Sequence, residues 1–242
     1  MVKSKIFLTI CLFFFTNIAV SNAITLPSKT YDWSFSSILG KYDNAQLKRG
    51  FKVYQQICAS CHSLKYVSIN SLGKIGFSKK EISSLAKKYN TDINGYFPKP
   101  FATAEDAREA NNGSIPPDLS SIAKQRSVIG LNSASGADYI ASYLNGYDSK
   151  KDTDSSYYNP YFANGDYTNM PPMLSSGAVE YNDGSPQTVM QYAKDVSAFL
   201  YWCANPNLIA QRKLGFCVIS FLIVLLLIVV LLKKEYDKVN RD

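Results

Sequence analysis

Leu214 to Leu232 runs for 19 residues without one charged side chain. A helix rising about 1.5 Å per residue needs about 20 such residues to cross the hydrocarbon of a bilayer. Arg212 and Lys213 precede the run, and Lys233, Lys234, Lys238 and Arg241 follow it. The pattern predicts one transmembrane helix over residues 214–232, with a cation-rich tail at 233–242 kept in the cytoplasm. The alternative is a helix buried in a soluble core. One this apolar on every face would need an unusually large domain around it.

The other end of the chain agrees with this topology. Lys3 and Lys5 give a positive start, Ile6 to Val20 is largely apolar, and Ser21-Asn22-Ala23 offers small residues to a signal peptidase. These are the parts of an export signal, so residues 1–23 are expected to be removed and the mature chain to begin at Ile24. An uncleaved anchor is the competing reading. The segment lacks the Arg-rich amphipathic character of an organelle transit peptide. An exported N-terminus and a retained C-terminus together predict a single-pass protein of a bacterial inner membrane. Residues 24–205 then form a periplasmic domain, and 206–213 connect it to the span.

The formal net charge of +7 carries little information about partners. Residues 24–213 hold 20 Lys and Arg against 16 Asp and Glu, so the exported part is only slightly basic. No run of cations interleaves with aromatics, which argues against nucleic acid as a partner.

Within the exported part the signals are mostly helical. Asp43 is placed to cap a helix whose face carries Leu47, Gly50, Phe51, Tyr54 and Ile57. Ser78 and Glu81 have capping-box spacing ahead of Ile82, Leu85, Ala86 and Tyr89. Thr103 opens a short helix to about Ala110, and another is expected from about Gly136 to Asn145. Ser185-Pro186 reads as a helix start, with Val189, Tyr192, Ala193, Val196, Phe199 and Leu200 as its stripe. Met190 is expected to pack near that stripe. No segment sustains a two-residue alternation. Residues 147–184, rich in Asn, Asp, Tyr, Gly and Pro, read as a long irregular loop, and a long ordered loop usually has a job.

The chemistry starts at Cys58-Ala59-Ser60-Cys61-His62. C-x-x-C-H is the attachment signature of c-type haem. Two thiols three positions apart at a helix end can each add to one vinyl group of a porphyrin, and the next residue can then ligate the iron. A zinc site would need further Cys or His ligands. A thioredoxin-like pair would want a strand before the motif. A disulfide between Cys58 and Cys61 is possible chemistry in an exported chain and would leave His62 incidental.

His62 is the only histidine in the chain, so one such haem is expected and bis-histidine ligation within the chain is impossible. The second iron ligand of an electron-carrying c cytochrome is usually methionine. The exported candidates are Met170, Met173 and Met190. Met170 stands immediately before Pro171-Pro172, and prolines stiffen a loop. The pattern favours Met170 over Met173 only slightly. A sixth ligand from sulfur would raise the potential and close the iron to substrate, which points to one-electron relay.

At this point the chain resembles the cytochrome c1 family, the haem subunits of the cytochrome bc1 complex (complex III). The matching stretches are collinear. They are Arg49-Gly50-Phe51 through Val53-Tyr54, Cys58 to Tyr66, Ala110-Asn111-Asn112-Gly113 with Pro116-Pro117-Asp118-Leu119-Ser120, and Tyr158 to Phe162. Met170-Pro171-Pro172, Asp183 to Pro186, and Ala193 to Val196 through Trp202 complete the set.

The resemblance implies a mainly α, class I c-type cytochrome domain with long loops, plus one C-terminal transmembrane helix. It implies one haem c joined covalently to Cys58 and Cys61, with His62 and Met170 as metal ligands. It implies a pocket loop from Asn111 to Ser120, Arg126 facing a haem propionate, and hydrogen bonds from Asn111 and Tyr139. It also implies an electron-transfer subunit of ubiquinol–cytochrome c reductase, with no bond-making chemistry of its own. The implied partners are cytochrome b, a Rieske iron–sulfur protein, a soluble or membrane-tethered cytochrome c and membrane lipid, within a dimeric complex. A free-standing membrane-anchored cytochrome and a haem-based sensor are the competing functions. Two features depart from the family pattern. The family is known for an acidic surface toward its cytochrome c, whereas this domain is slightly basic. Cys203 has no evident partner and is expected to be a free thiol.

Overall fold

Asp43 begins the first helix. The computed structural model describes residues 27–128 and 134–240, so the expected signal peptide and its cleavage site lie outside the described residues. The Asp43 carboxylate accepts from the Ala45 amide at 2.9 Å, and helix α1 follows as Asn44–Gln56. It buries Leu47, Gly50, Phe51, Val53 and Tyr54, while Ile57 sits at its end, half-buried. Helix α2 (Lys79–Lys88) carries the expected capping box. The Ser78 hydroxyl accepts from the Glu81 amide at 3.2 Å, and the Ser78 amide donates back to Glu81 at 2.7 Å. Thr103 and Asp106 repeat that device for helix α3 (Ala104–Ala110). Two further helices follow, α4 (Ile122–Gln125) and α5 (Ser135–Asn145).

Helix α6 (Val189–Ala204) begins later than Ser185-Pro186 predicts. Its cap is Thr188, whose hydroxyl accepts from the Gln191 amide at 3.3 Å. Asp183 instead accepts from the Ser185 amide at 3.1 Å, and Gly184 adopts a φ of 76°. The Asp-Gly pair commits the chain to a turn before the proline can open a helix. Met190 is consequently in the first turn and 44% exposed, not packed along the stripe.

Helices α1 and α6 cross backbone to backbone. A Cβ at Gly50 would collide with the carbonyl of Asp195. The Phe51 ring meets Phe199 edge-on at 5.6 Å, and Tyr54 lies 6.0 Å from the same ring. Arg49 grips Asp195 with two bonds, Nε to Oδ2 at 2.9 Å and Nη2 to Oδ1 at 3.3 Å, and reaches Asp183 at 2.7 Å. The Asp195 side chain is fully buried, and losing one partner of such a buried pair costs roughly 3–5 kcal/mol. Helices α4 and α5 both pack on α6. They approach each other so closely that a Cβ at Gly136 would strike the Ala123 carbonyl.

The N-terminal segment straps over this core. Asp138 on α5 accepts from the Trp33 indole at 2.7 Å and from the Tyr31 amide at 3.0 Å. Phe35 stacks on Tyr201 at 4.5 Å. The long loop holds one small ribbon, β1 (Tyr157–Tyr158) paired antiparallel with β2 (Tyr167–Thr168), Tyr157 opposite Thr168.

Helix α7 (Leu208–Val239) is the one helix among the described residues long and apolar enough to cross a membrane. It has 32 residues, none of them buried, and its mean hydropathy reaches 3.3. At 1.5 Å per residue it is roughly 48 Å long, so it covers the uncharged run and extends past it at both ends.

The α1–α6 crossing yields a direct test. Gly50→Ala inserts a methyl into a backbone contact and should destabilise the domain by about 1–3 kcal/mol. Calorimetry should show a thermal midpoint lowered by several degrees. An unchanged midpoint would mean that the helices do not touch there.

Candidate haem-binding site

The last turn of α1 tightens as it reaches the cysteines. The Ile57 amide still donates to Val53 at 3.0 Å, and then a 3₁₀ turn forms over Cys58–Ser60. The Cys58 carbonyl accepts from both the Cys61 amide, at 3.1 Å, and the His62 amide, at 2.9 Å. Both thiols and the imidazole therefore ride on one hydrogen-bonded turn. Buried Tyr54 donates its hydroxyl to the His62 carbonyl at 3.0 Å, which ties that turn to the core. Cys58 and Cys61 are free and half-buried. Burial, with the neighbouring Cys61 adding, pushes the Cys58 thiol up to about 12.

His62 is oriented by a carbonyl. Its Nδ1 lies 2.8 Å from the Pro117 oxygen. A carbonyl can only accept, so Nδ1 carries the proton and Nε2 keeps its lone pair. A metal-ligating histidine commonly donates its second ring N–H to such an acceptor. Burial lowers the pKa of the ring, against the upward pull of Pro117 and Asp118. The neutral form, which binds metal, is favoured.

The Pro117 carbonyl is itself held in place. Asp118 accepts from the Ser63 hydroxyl at 2.7 Å, the Lys65 amide at 2.9 Å and the Ser120 amide at 3.0 Å. The Leu119 amide donates to Ser63 at 2.9 Å, and the Tyr66 amide to Ser120 at 3.1 Å. The stretch after the motif and the Pro116–Ser120 stretch are thus stitched together along their length. Burial alone would raise the Asp118 pKa, but the bonds from Lys65, Ser63 and Ser120 outweigh it and hold the carboxyl below the ordinary range.

Met170 is half-buried and its backbone is pinned twice. Its amide donates to the Thr168 hydroxyl at 3.2 Å, and its carbonyl accepts from the Tyr147 hydroxyl at 2.9 Å. Met173 is 41% exposed. Asn169 donates to the Ser114 hydroxyl at 2.6 Å, so the Met170 loop touches the loop that follows α3. Asn111 ends α3, with its side-chain nitrogen on the Ala107 carbonyl at 2.7 Å. Its own carbonyl accepts from Ser114 at 3.0 Å.

Arg126 and Tyr139 come together. The Arg126 guanidinium lies over the Tyr139 ring, 5.4 Å from its centroid. Tyr139 stacks on Tyr143 at 6.1 Å, and its hydroxyl accepts from the Ala163 amide at 3.2 Å. The Tyr143 hydroxyl then lies 2.9 Å from the Thr168 hydroxyl and 3.1 Å from that of Tyr147, whose single proton goes to the Met170 carbonyl. An aromatic ladder on and beyond α5 therefore runs from Arg126 to the backbone of Met170. Sequence reasoning passed over Tyr143, Tyr147, Thr168 and Asp118. The spacing of Tyr139, Tyr143 and Tyr147, four apart, was the available signal.

The donor set suits a c-type haem. Two thiols stand three positions apart, an imidazole keeps Nε2 as its lone-pair nitrogen, and a thioether rises from a twice-pinned loop. Among the described residues no group of three or more His, Cys, Asp or Glu is placed to hold a metal ion. Cys203, on α6, is a free thiol that burial holds well above its ordinary pKa.

Asp118 gives this arrangement a pH signature. Its folded pKa lies below the unfolded value of 3.8, so the native state binds fewer protons and the carboxylate contributes stability above that value. The contribution is lost as pH falls through the folded pKa. In guanidinium unfolding, Asp118→Asn should cost about 1–2 kcal/mol at neutral pH. The gap to wild type should narrow as pH drops below 4. A gap independent of pH would remove the charge from the account.

Comparisons with known proteins bear on this geometry. The Cytochrome C1 family profile matches residues 33–239. "Cytochrome c1" of Blastochloris viridis is 36% identical over 226 residues, covering 79% of this chain and 80% of the relative. "Cytochrome c1, heme protein, mitochondrial" of Saccharomyces cerevisiae is 34% identical over 229 residues, covering 86% of this chain and 72% of the relative. "Cytochrome b/c1" of Bradyrhizobium diazoefficiens is 38% identical over 237 residues, covering 84% of this chain but only 34% of that longer relative. The family match spans the crossed helices, the C-x-x-C-H turn, the Met170 loop and the apolar helix, and the chain belongs to the cytochrome C1 family.

Proposed function

We propose that this chain is the haem-bearing, membrane-anchored electron-transfer subunit of a cytochrome bc1 complex. The observation that carries the reading is the His62 ring, with Nδ1 committed to the Pro117 carbonyl and the ring set on the turn that holds Cys58 and Cys61. That geometry leaves Nε2 to ligate iron. Cys58 and Cys61 hold the haem covalently. Met170 would offer its thioether to the iron from a loop whose backbone Tyr147 and Thr168 restrain. Arg126 faces a propionate, with Tyr139 beneath its guanidinium and Asn111 at the edge of the pocket. Haem bound there supplies a one-electron iron couple.

The residues of the chain account for relay without catalysis. A thioether is a soft neutral donor, and it favours ferrous iron and a high potential. With His62 and Met170 both holding the iron, no position would be left open for a substrate. The pinned Met170 backbone would hold the thioether in place in both oxidation states. The chain accepts one electron from a Rieske iron–sulfur protein and passes it to a cytochrome c, soluble or membrane-tethered. It shares the membrane with cytochrome b, in a dimeric complex that oxidises quinol and moves protons. The name of the Bradyrhizobium relative pairs b with c1, which supports that partnership.

The placement proposed is a bacterial inner membrane. Residues 1–23 direct export and are removed, and residues 24–205 form the periplasmic haem domain. Residues 206–213 lead to the span at 214–232, and 233–242 stay cytoplasmic. Lys233, Lys234, Lys238 and Arg241 beyond the apolar run support that orientation.

One preparation tests the ligands and the linkage. The mature wild-type protein should keep its pigment through acid-acetone extraction, because thioether bonds survive it. Met170→Leu should lose the sulfur-to-iron charge-transfer band at the red edge, and its potential should fall markedly in an optical redox titration. An unchanged band and potential in that variant would remove Met170 as a ligand.

A further inference from the structure

The segment between Trp33 and Lys41 breaks a local rule. The Gly40 amide donates to the Ser37 carbonyl at 3.0 Å, which closes a tight turn with Ile38 and Leu39 at its two corners. Turn corners favour Gly, Pro, Asn, Asp and Ser, and a β-branched residue is poorly suited to one. Here both corners are large aliphatics, and they stand 71% and 79% exposed. Among the described residues, apart from α7 and Val128, they are the most exposed of the large hydrophobics. Neighbouring Trp33 and Phe35 are by contrast buried in the core, so the corner is a deliberate projection from a well-anchored strap. A local rule broken without a packing gain points to a function outside the domain.

The position of the turn identifies what meets it. Arg212 donates to the Phe35 carbonyl at 2.8 Å and to the Gly40 carbonyl at 2.9 Å. Those two carbonyls bracket the Ile38–Leu39 corner. Arg212 lies two residues, or about 3 Å of helix rise, before the uncharged run that begins at Leu214. The corner is therefore stapled at the level where α7 leaves the aqueous phase. Lys41 beside the turn and Lys213 beside Arg212 are both exposed, and cations flanking an apolar tip suit anionic headgroups.

We propose that Ile38 and Leu39 form a second, interfacial contact with the lipid bilayer, seated in the headgroup region beside α7. The occupant is lipid, reached by the same apolar continuity that carries α7 into the membrane. The contact fixes the height and tilt of the haem domain, because one point of attachment would leave it free to lean. This rests on α7 being the membrane anchor.

Spin labelling of the full, haem-loaded chain in vesicles of phosphatidylcholine and phosphatidylglycerol tests the proposal. The label is placed at Leu39→Cys, and separately at Ile38→Cys, in a Cys217→Ser background. Signal from the same background without the added cysteine is subtracted. The unmodified chain labelled at Cys217 reports on the span itself. Lipid contact predicts an oxygen-to-nickel-chelate collision ratio at both turn positions several-fold above that of free label in buffer. A ratio equal to that of free label would overturn the proposal by leaving the turn in water. Low collision with both agents would overturn it by showing protein over the turn. If the Cys217 label is also accessible to the nickel chelate, the anchor reading fails with it. An apolar Cys217 beside a wet turn defeats the interfacial contact alone.

Discussion

The turn proposed to bind the haem hangs from a contact between two backbones. Helices α1 and α6 meet where Gly50 lies against Asp195. Arg49 clamps the same carboxylate that α6 buries at the crossing. The position of Cys58, two residues past the end of α1, follows from that fit. So does the start of α7, because α6 feeds into it almost directly. One crossing sets both the place of the Cys58–His62 turn and its relation to the long apolar helix.

Around that support, polar bonds substitute for secondary structure. Few of the loop residues near the motif belong to helix or strand. Asp118 performs the work of a small sheet by accepting three bonds from two chain segments. Tyr143 on α5 and Tyr147 just beyond it do the same, linking Thr168 and the Met170 carbonyl through their hydroxyls. Burial raises the pKa of Tyr147 and Tyr143, and their hydroxyls remain donors across the ordinary pH range. A long loop can be stiff without regular structure when its backbone groups are paired in this way.

How much of this could be read from the residues varied with the range of the interactions. The caps at Asp43, Ser78 and Thr103 act over three residues, and they were legible. The C-x-x-C-H motif stood out in the sequence because its chemistry is proposed from its spacing alone. The start of α6 was misread, since Ser-Pro is compatible with a helix and with a turn. The Asp183 side chain and Gly184 chose between them. The preference for Met170 over Met173 was faint in sequence. The choice between them rests on the family resemblance; Tyr147 and Thr168 bond the Met170 backbone, and Met173 is exposed. The resemblance marked the loop that holds Pro117 and Asp118, but their bonds to His62 and Ser63 were invisible, because those partners lie some 55 residues away.

The passage from α6 to α7 is only Asn205, Pro206 and Asn207. It is braced by Tyr42, which donates to the Asn205 carbonyl at 2.9 Å, and by the grip of Arg212 on the strap. A leash that short and that well tied allows almost no swing. Whatever brings charge to this domain must do the travelling itself. Whatever takes charge away must find the pocket at one constant distance from the bilayer.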